Sequence, residues 1–291
     1  MKNIIFSPIL FILIFIPYYG YSQAEIHATS QAVHYPWLNS ETKPTRKLSD
    51  AIKPPNGYRR ITEQNDTLTN WFRNLPLMPK ESKVLLYNGQ AKNRQDVHEA
   101  IIKIDIGKRD LQQCADAVMR LRAEYLYSLS KYDKISFDFT NGQHIPYSKW
   151  RSGYKVKIEN NKASWIKTNE KQDTYASFRK YMDLIFAYAG TYSLAKQLKT
   201  VDLDDIKIGD VFIAGGFPGH AVLVIDMAIN DYGKKCMLLA QSYMPAQNIH
   251  IIKNFTDSES SPWYLIENIE SDNALITPEW KFNINSLKRF E

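Results

Sequence analysis

Residues Gly209–Ala228, GDVFIAGGFPGHAVLVIDMA, constrain this chain more than any other stretch. They read as a strand over Val211–Ala214, a turn rich in Gly215, Gly216, Pro218 and Gly219, and a second strand that begins at His220. The run Ala221–Ile225 is apolar and largely β-branched, which predicts a buried strand. A histidine at the mouth of a buried hairpin, with Gly219 clearing space beside it, suits a catalytic imidazole that substrate can reach. The same position also suits a core histidine hydrogen-bonded to backbone.

The first residues bear on compartment. Lys2 supplies a positive start, Ile4–Ile16 is almost wholly apolar, and Tyr18–Ala24 is a more polar exit. The apolar run is shorter than the roughly 20 residues that span a bilayer, so residues 1–23 are expected to be a signal peptide cut near Ser22–Ala24. The processed protein is expected to be exported, periplasmic or extracellular, and soluble, with no stable membrane insertion. Roughly 265 residues would then remain, enough for one large domain or two small ones. The formal net charge of +6 is spread along the chain without an Arg/Lys block, which argues against nucleic acid as a partner. Six histidines lack metal-ligand spacing, and no HExxH, P-loop or dinucleotide glycine motif is present, so neither a metal nor a cofactor is expected. The two cysteines, Cys114 and Cys236, fit one long-range disulfide or two free thiols.

Residues 24–57 mix Pro, Ser, Thr and Lys without periodicity and are expected to be a poorly packed leader. Residues 58–291 are expected to form a single α+β domain around a central antiparallel sheet. Val84–Leu86 and Ala100–Ile106 read as strands, and a helix is predicted from Asp110, as its cap, to about Leu129. On that helix Arg120 and Glu124 stand four apart and can pair. Residues 133–168 read as a β-meander with turns at Asn141-Gly142 and Asn160-Asn161. Trp150, within it, is either a sugar-stacking platform or packing for the meander. A second helix is predicted over Tyr175–Gly190, packed on the Gly209–Ala228 hairpin. Met237–Ala240 reads as a further strand and Ser242–Glu291 as an irregular aromatic tail. Asp105 with Asp110, and Asp226, read as acids at a site or as caps and strand ends.

This order of helix, Gly-Asp-Val strand, His strand and polar-ended strand resembles the core of the NlpC/P60 group of papain-like cell-wall peptidases, over about residues 173–245. The resemblance implies His220 as general base and Gln241, at the end of Leu238–Ser242, as the residue that orients it. It aligns Ser177, in Tyr175-Ala176-Ser177-Phe178, with the family's nucleophilic cysteine; a serine hydroxyl is the poorer nucleophile. The phrases LQQCADAVMRLRAEYL, GDVFIAGGFPGHAV, LLAQSYMPAQNIHI and TPEW span most of the chain. They resemble an uncharacterised family of exported Bacteroidetes proteins, domain of unknown function 4846, which implies one continuous exported domain and no particular activity.

The first of those phrases offers a rival nucleophile. Cys114 lies in the N-terminal part of its helix, where the dipole favours a thiolate, with Gln113 beside it as a donor to an oxyanion. Asp116 nearby opposes that ionisation. Ser242, Gln247 and His250, with Gly219, are candidates for a polar binding pocket. Three functions remain open: a cell-wall or peptide amidohydrolase acting through an acyl-enzyme, an inactive relative that binds peptidoglycan or another envelope ligand, and a structural envelope protein. Oligomeric state is not legible.

Overall fold

The computed structural model describes residues 33–38, 46–62, 67–168 and 172–291. The expected signal peptide, and much of the expected leader, lie outside these residues.

The strand that begins at His220 runs to Asn230, and its residues are buried through Ala228. Its side chains alternate between two apolar cores: Ala221, Leu223 and Ile225 enter one, Val222 and Val224 the other. Because both faces are covered, the strand needs no polar alternate, which explains the unbroken apolar run. Leu238 pairs with Asp226 and Leu239 with Val224, so Ile225 is an extra residue in the ladder. This bulge reverses the phase: beyond it Met227 and Ala228 change places relative to the earlier alternation.

The fold is α+β, built on a large antiparallel sheet. The His220–Asn230 strand lies in the middle, between Val211–Ala214 and Lys235–Gln241. Beyond Lys235–Gln241 come His250–Ile252 and then His98–Ile101; beyond Val211–Ala214 come Leu287–Arg289 and Lys199–Thr200. Tyr58–Arg60 pairs with the far end of the central strand, and Tyr264–Leu265 with Lys235–Gln241. On one face lie the helices Thr67–Arg73, Cys114–Ser128 and Tyr175–Tyr188. On the other lie the helix Ile266–Asp272 and the two-stranded sheet Ala274–Ile276/Lys281–Asn283, which contributes Leu275 and Phe282. Among the described residues no helix is long and apolar enough to cross a membrane.

The Gly209-Asp210-Val211 phrase has structural duties. Gly209 has φ +95°, and a Cβ there would come 2.8 Å from Leu68 Cδ2. The buried Asp210 carboxylate takes both arms of Arg289, at 2.6 and 2.8 Å, and the Lys207 N–H at 2.7 Å, tying the C-terminal strand to the hairpin. Asp226, far from being a solvated strand end, is fully buried between Arg60 (2.6 Å) and Arg73 (2.8 Å).

Several sequence expectations require correction. The helix that rests directly on the hairpin is Cys114–Ser128, whereas Tyr175–Tyr188 packs beside it, with the Phe178 and Tyr127 rings 4.5 Å apart. The first of these helices starts at Cys114 because Asp110 does not cap it: the Asp110 carboxylate accepts the backbone N–H of Ala246 at 2.7 Å. Val84–Leu86 makes only isolated bridges, and the Ala100–Ile106 strand is instead His98–Ile101. The meander is two separate hairpins, Ser136–Asp138/His144–Pro146 and Tyr154–Glu159/Lys162–Lys167, split by the short helix Tyr147–Arg151. Trp150 belongs to that helix and is buried, so it packs rather than presenting a platform. The tail after Ser242 carries five strands of two or three residues, too short to show a period. Within the expected leader, Tyr35, Leu48 and Ile52 are core residues.

The Cys114–Ser128 helix also carries a buried ionic group. Arg120 Nε donates to Glu124 at 2.6 Å and Arg120 Nη1 to Gln112 Oε1 at 2.8 Å, while Asp105 closes the cluster from the surface. Removing one partner strands a buried charge. Arg120→Ala is therefore expected to lower unfolding free energy by about 3–5 kcal/mol in chemical denaturation. An effect within about 0.5 kcal/mol, as for an ordinary surface substitution, would contradict this reading of the cluster.

Candidate active site

His220 opens the central strand at the hairpin turn, and Gln241 closes the neighbouring strand, so the two side chains meet at one end of the sheet. His220 Nε2 lies 2.8 Å from Gln241 Oε1. The rest of the network sets the polarity of that bond. Gln241 Nε2 donates to Glu279 Oε2 at 2.7 Å and faces His250 Nε2 at 3.4 Å. His250 Nδ1, 2.9 Å from the Asn248 carbonyl, must donate there, which leaves its Nε2 as an acceptor. Both amide hydrogens of Gln241 are thus used, and its oxygen is the atom turned to His220. An oxygen accepts, so His220 carries its proton on Nε2 and leaves the Nδ1 lone pair free. Lys92 Nζ, 2.7 Å from Glu279 Oε2, balances the carboxylate behind Gln241.

Burial pushes the His220 imidazole down from 6.5 to about 4; Gln241 acts against this shift and Lys92 adds to it. Burial and Lys92 push His250 down to about 3. Both rings are therefore neutral at pH 7. Aromatic side chains hold the His220 ring: Tyr243 at 4.8 Å, Trp280 at 5.4 Å and Phe282 stacked at 5.7 Å between centroids.

His220 lines a cleft of about 690 Å³ that Cys114 also lines. Cys114 is the first residue of its helix, and the Gln113 N–H before it donates to Asp116 at 3.0 Å. Burial, then the Asp116 carboxyl, pushes the Cys114 thiol up to about 11, while the N–H groups of Ala115, Ala221 and Cys114 itself pull it down. The Ala221 contact ties the sulfur to the residue next to His220. Burial also raises Asp116 well above the usual carboxylate range. Both cysteines are free thiols, Cys114 half-buried and Cys236 buried at a distance from the cleft lining.

Ser177 lines no part of this cleft. The Tyr175–Tyr188 helix meets the cleft through Phe186 and Ala187, roughly 13 Å along its axis from Ser177. The Ser177 hydroxyl accepts from Trp150 Nε1 at 2.9 Å and donates to Gln172 at 2.9 Å, a buried structural link. Gln113 lines the cleft, and its Nε2 donates to Asp110 at 3.1 Å. Of the residues considered for binding, only Gly219 lines the cleft. A Cβ at Gly219 would collide with Thr191 Oγ1 and lie 2.6 Å from the Ala214 and Gly216 carbonyl oxygens. Ser242 and Gln247 brace the loop behind Cys114, with Ser242 Oγ 2.9 Å from the Gln112 carbonyl oxygen and 3.0 Å from that of Gln247. His250 acts only through Gln241. Glu279, Lys92, Tyr243 and Trp280 carry no role in the sequence reading; its TPEW phrase nevertheless contains two of them. Among the described residues no group of three or more His, Cys, Asp or Glu side chains could hold a metal ion.

The depressed imidazoles predict a pH dependence. Between 6.5 and about 4 the unfolded chain binds a proton at His220 that the folded chain does not, so this group's contribution to stability is lost as pH falls through that window. The urea midpoint is expected to fall less steeply from pH 6.5 to pH 4 in His220→Asn than in the parent protein. Equal slopes would show that His220 is not held neutral by the fold.

Comparison with curated proteins finds no match, and comparison with solved structures finds none. Comparison with protein families does give one. The family described as a domain of unknown function (4846) matches residues 48–289, and the chain belongs to that family.

Proposed function

We propose that the cleft is the active site of a thiol-dependent amidohydrolase of papain-like type, with Cys114 as nucleophile, His220 as general base and Gln241 as the residue that orients the base. The observation that carries this reading is the polarity of the Gln241 network, which leaves the Nδ1 lone pair unused on a His220 that lines the same cleft as the first-turn cysteine. In this reading His220 Nδ1 takes the thiol proton as Sγ forms a bond to the amide carbon. The imidazolium then protonates the departing amine as the C–N bond breaks, leaving a thioester. Water, deprotonated by Nδ1, attacks that thioester and releases the acid, and the proton returns to Sγ. The N–H groups around the sulfur and the helix N-terminus favour the charge that develops.

The NlpC/P60 likeness is proposed in modified form. The nucleophile helix is Cys114–Ser128 in place of the one opened by Ser177, and residues 129–208 intervene before the Gly209–Ala228 hairpin. The apolar Ile4–Ile16 run favours action outside the cytoplasm, on cell-wall peptides or other exported peptides. A second reading, an inactive relative that binds such ligands, is favoured by one observation: the resting thiol is pushed up to about 11.

Thiol labelling separates the two. An amide-mimicking electrophile, such as a peptidyl epoxide, is expected to modify Cys114 stoichiometrically at pH 7 and leave Cys236 untouched, as read by peptide mass mapping. His220→Ala should slow this by at least about 100-fold. Labelling of Cys114 no faster than that of a simple thiol, unchanged by His220→Ala, would overturn the enzyme reading and favour the binding one.

A further inference from the structure

The walls of the cleft carry information about what enters it. Phe217 and Met244 both line it, on the two loops that border His220 and Cys114, yet they are 84% and 65% exposed. Neither loop is loosely held. The Gly215–Gly219 turn is fixed by Thr191 Oγ1, which donates to the Gly216 carbonyl at 3.1 Å, and by the close packing that only glycine permits at Gly219. The loop that bears Met244 is fixed by the Ala246 N–H on Asp110 and by Ser242 behind it. Two large apolar side chains are thus presented to solvent on braced supports, the arrangement expected of a preorganised grip on an apolar group.

Charge points the same way. Among the described residues that line the cleft there is no Lys or Arg, whereas Asp110 and Asp116 are both present. The nearby cation, Lys92, is taken up by Glu279 and lies 5.5 Å from the centroid of the Tyr243 ring. Asp116 Oδ1 is buried and has no hydrogen-bond partner among the described residues. An anionic side chain placed here would lose water with no Lys or Arg in the cleft lining to pair with it.

We infer that the cleft takes a peptide whose residue next to the scissile amide is apolar and uncharged, held between Phe217 and Met244, and that it discriminates against acidic residues there. That the amide is cleaved rests on the proposed function; the binding preference itself does not need catalysis.

The test uses matched blocked peptides with Leu, Phe, Ala or Glu on either side of one amide. Binding to Cys114→Ala is followed by fluorescence polarisation, and kcat/KM is measured on the unsubstituted protein. Leu or Phe is expected to exceed Glu by at least about tenfold in binding, and Phe217→Ser/Met244→Ser to reduce that ratio to below about threefold. The iodoacetamide labelling rate of Cys114 in the double variant checks that the cleft is intact. A preference for Glu, equal binding of all peptides, or no binding of any overturns the inference, even if the protein hydrolyses peptides. Selective binding of apolar peptides without turnover supports the inference and overturns the enzyme reading, so the two fail separately.

Discussion

The burial of one strand on both faces organises this protein. His220–Asn230 has apolar cores on either side, and no stretch of it before Ile229 is free to face water. Every polar group that the strand carries must therefore be answered inside the fold. Asp226, at the bulge, is answered by two arginines from separate elements. His220, at the strand's start, is answered by Gln241, which in turn needs Glu279 and His250.

The demand at His220 fixes its tautomer, as the proposed general-base role needs. An aspartate in place of Gln241 would favour the imidazolium; an amide oxygen orients the ring and adds little charge. With burial pressing the imidazole down to about 4, the ring stays neutral and its Nδ1 keeps a lone pair. The Cys114 thiol in the same cleft is likewise kept neutral. In the proposed mechanism a thiol and an imidazole both held neutral form the resting state, and the proton moves when a substrate carbonyl is present to accept the sulfur. The N–H groups that face Sγ would favour the charge that the proposed mechanism develops there.

How much of this was legible from residue order varies by element. The central hairpin follows from an apolar run, a Gly/Pro turn and a second apolar run, signals that act over a few residues, whereas Gln241 enters through the resemblance to the NlpC/P60 group. The start of the Cys114 helix was misread because Asp110 has the chemistry of a cap. Its carboxylate is occupied by a backbone N–H that lies 136 residues later in the chain, which no local pattern records. That shift matters to the site, since it moves Cys114 from the second turn to the first. Ser177 was aligned through helical register alone, and register cannot say which end of a helix faces a cleft. Glu279 sits before a strand of three residues with no period to reveal it, and its role exists only because Gln241 has two amide hydrogens to place.

The direction of the hydrogen-bond chain through Gln241 decides which nitrogen of His220 is bare, and ¹⁵N NMR of the histidine rings reads it directly. At pH 7 the predicted result is His220 protonated on Nε2 with Nδ1 bare, and His250 protonated on Nδ1 with Nε2 bare. A His220 ring protonated on Nδ1, or a charged His220, would contradict the account, because Nδ1 would then have no lone pair with which to take the Cys114 proton in the proposed mechanism.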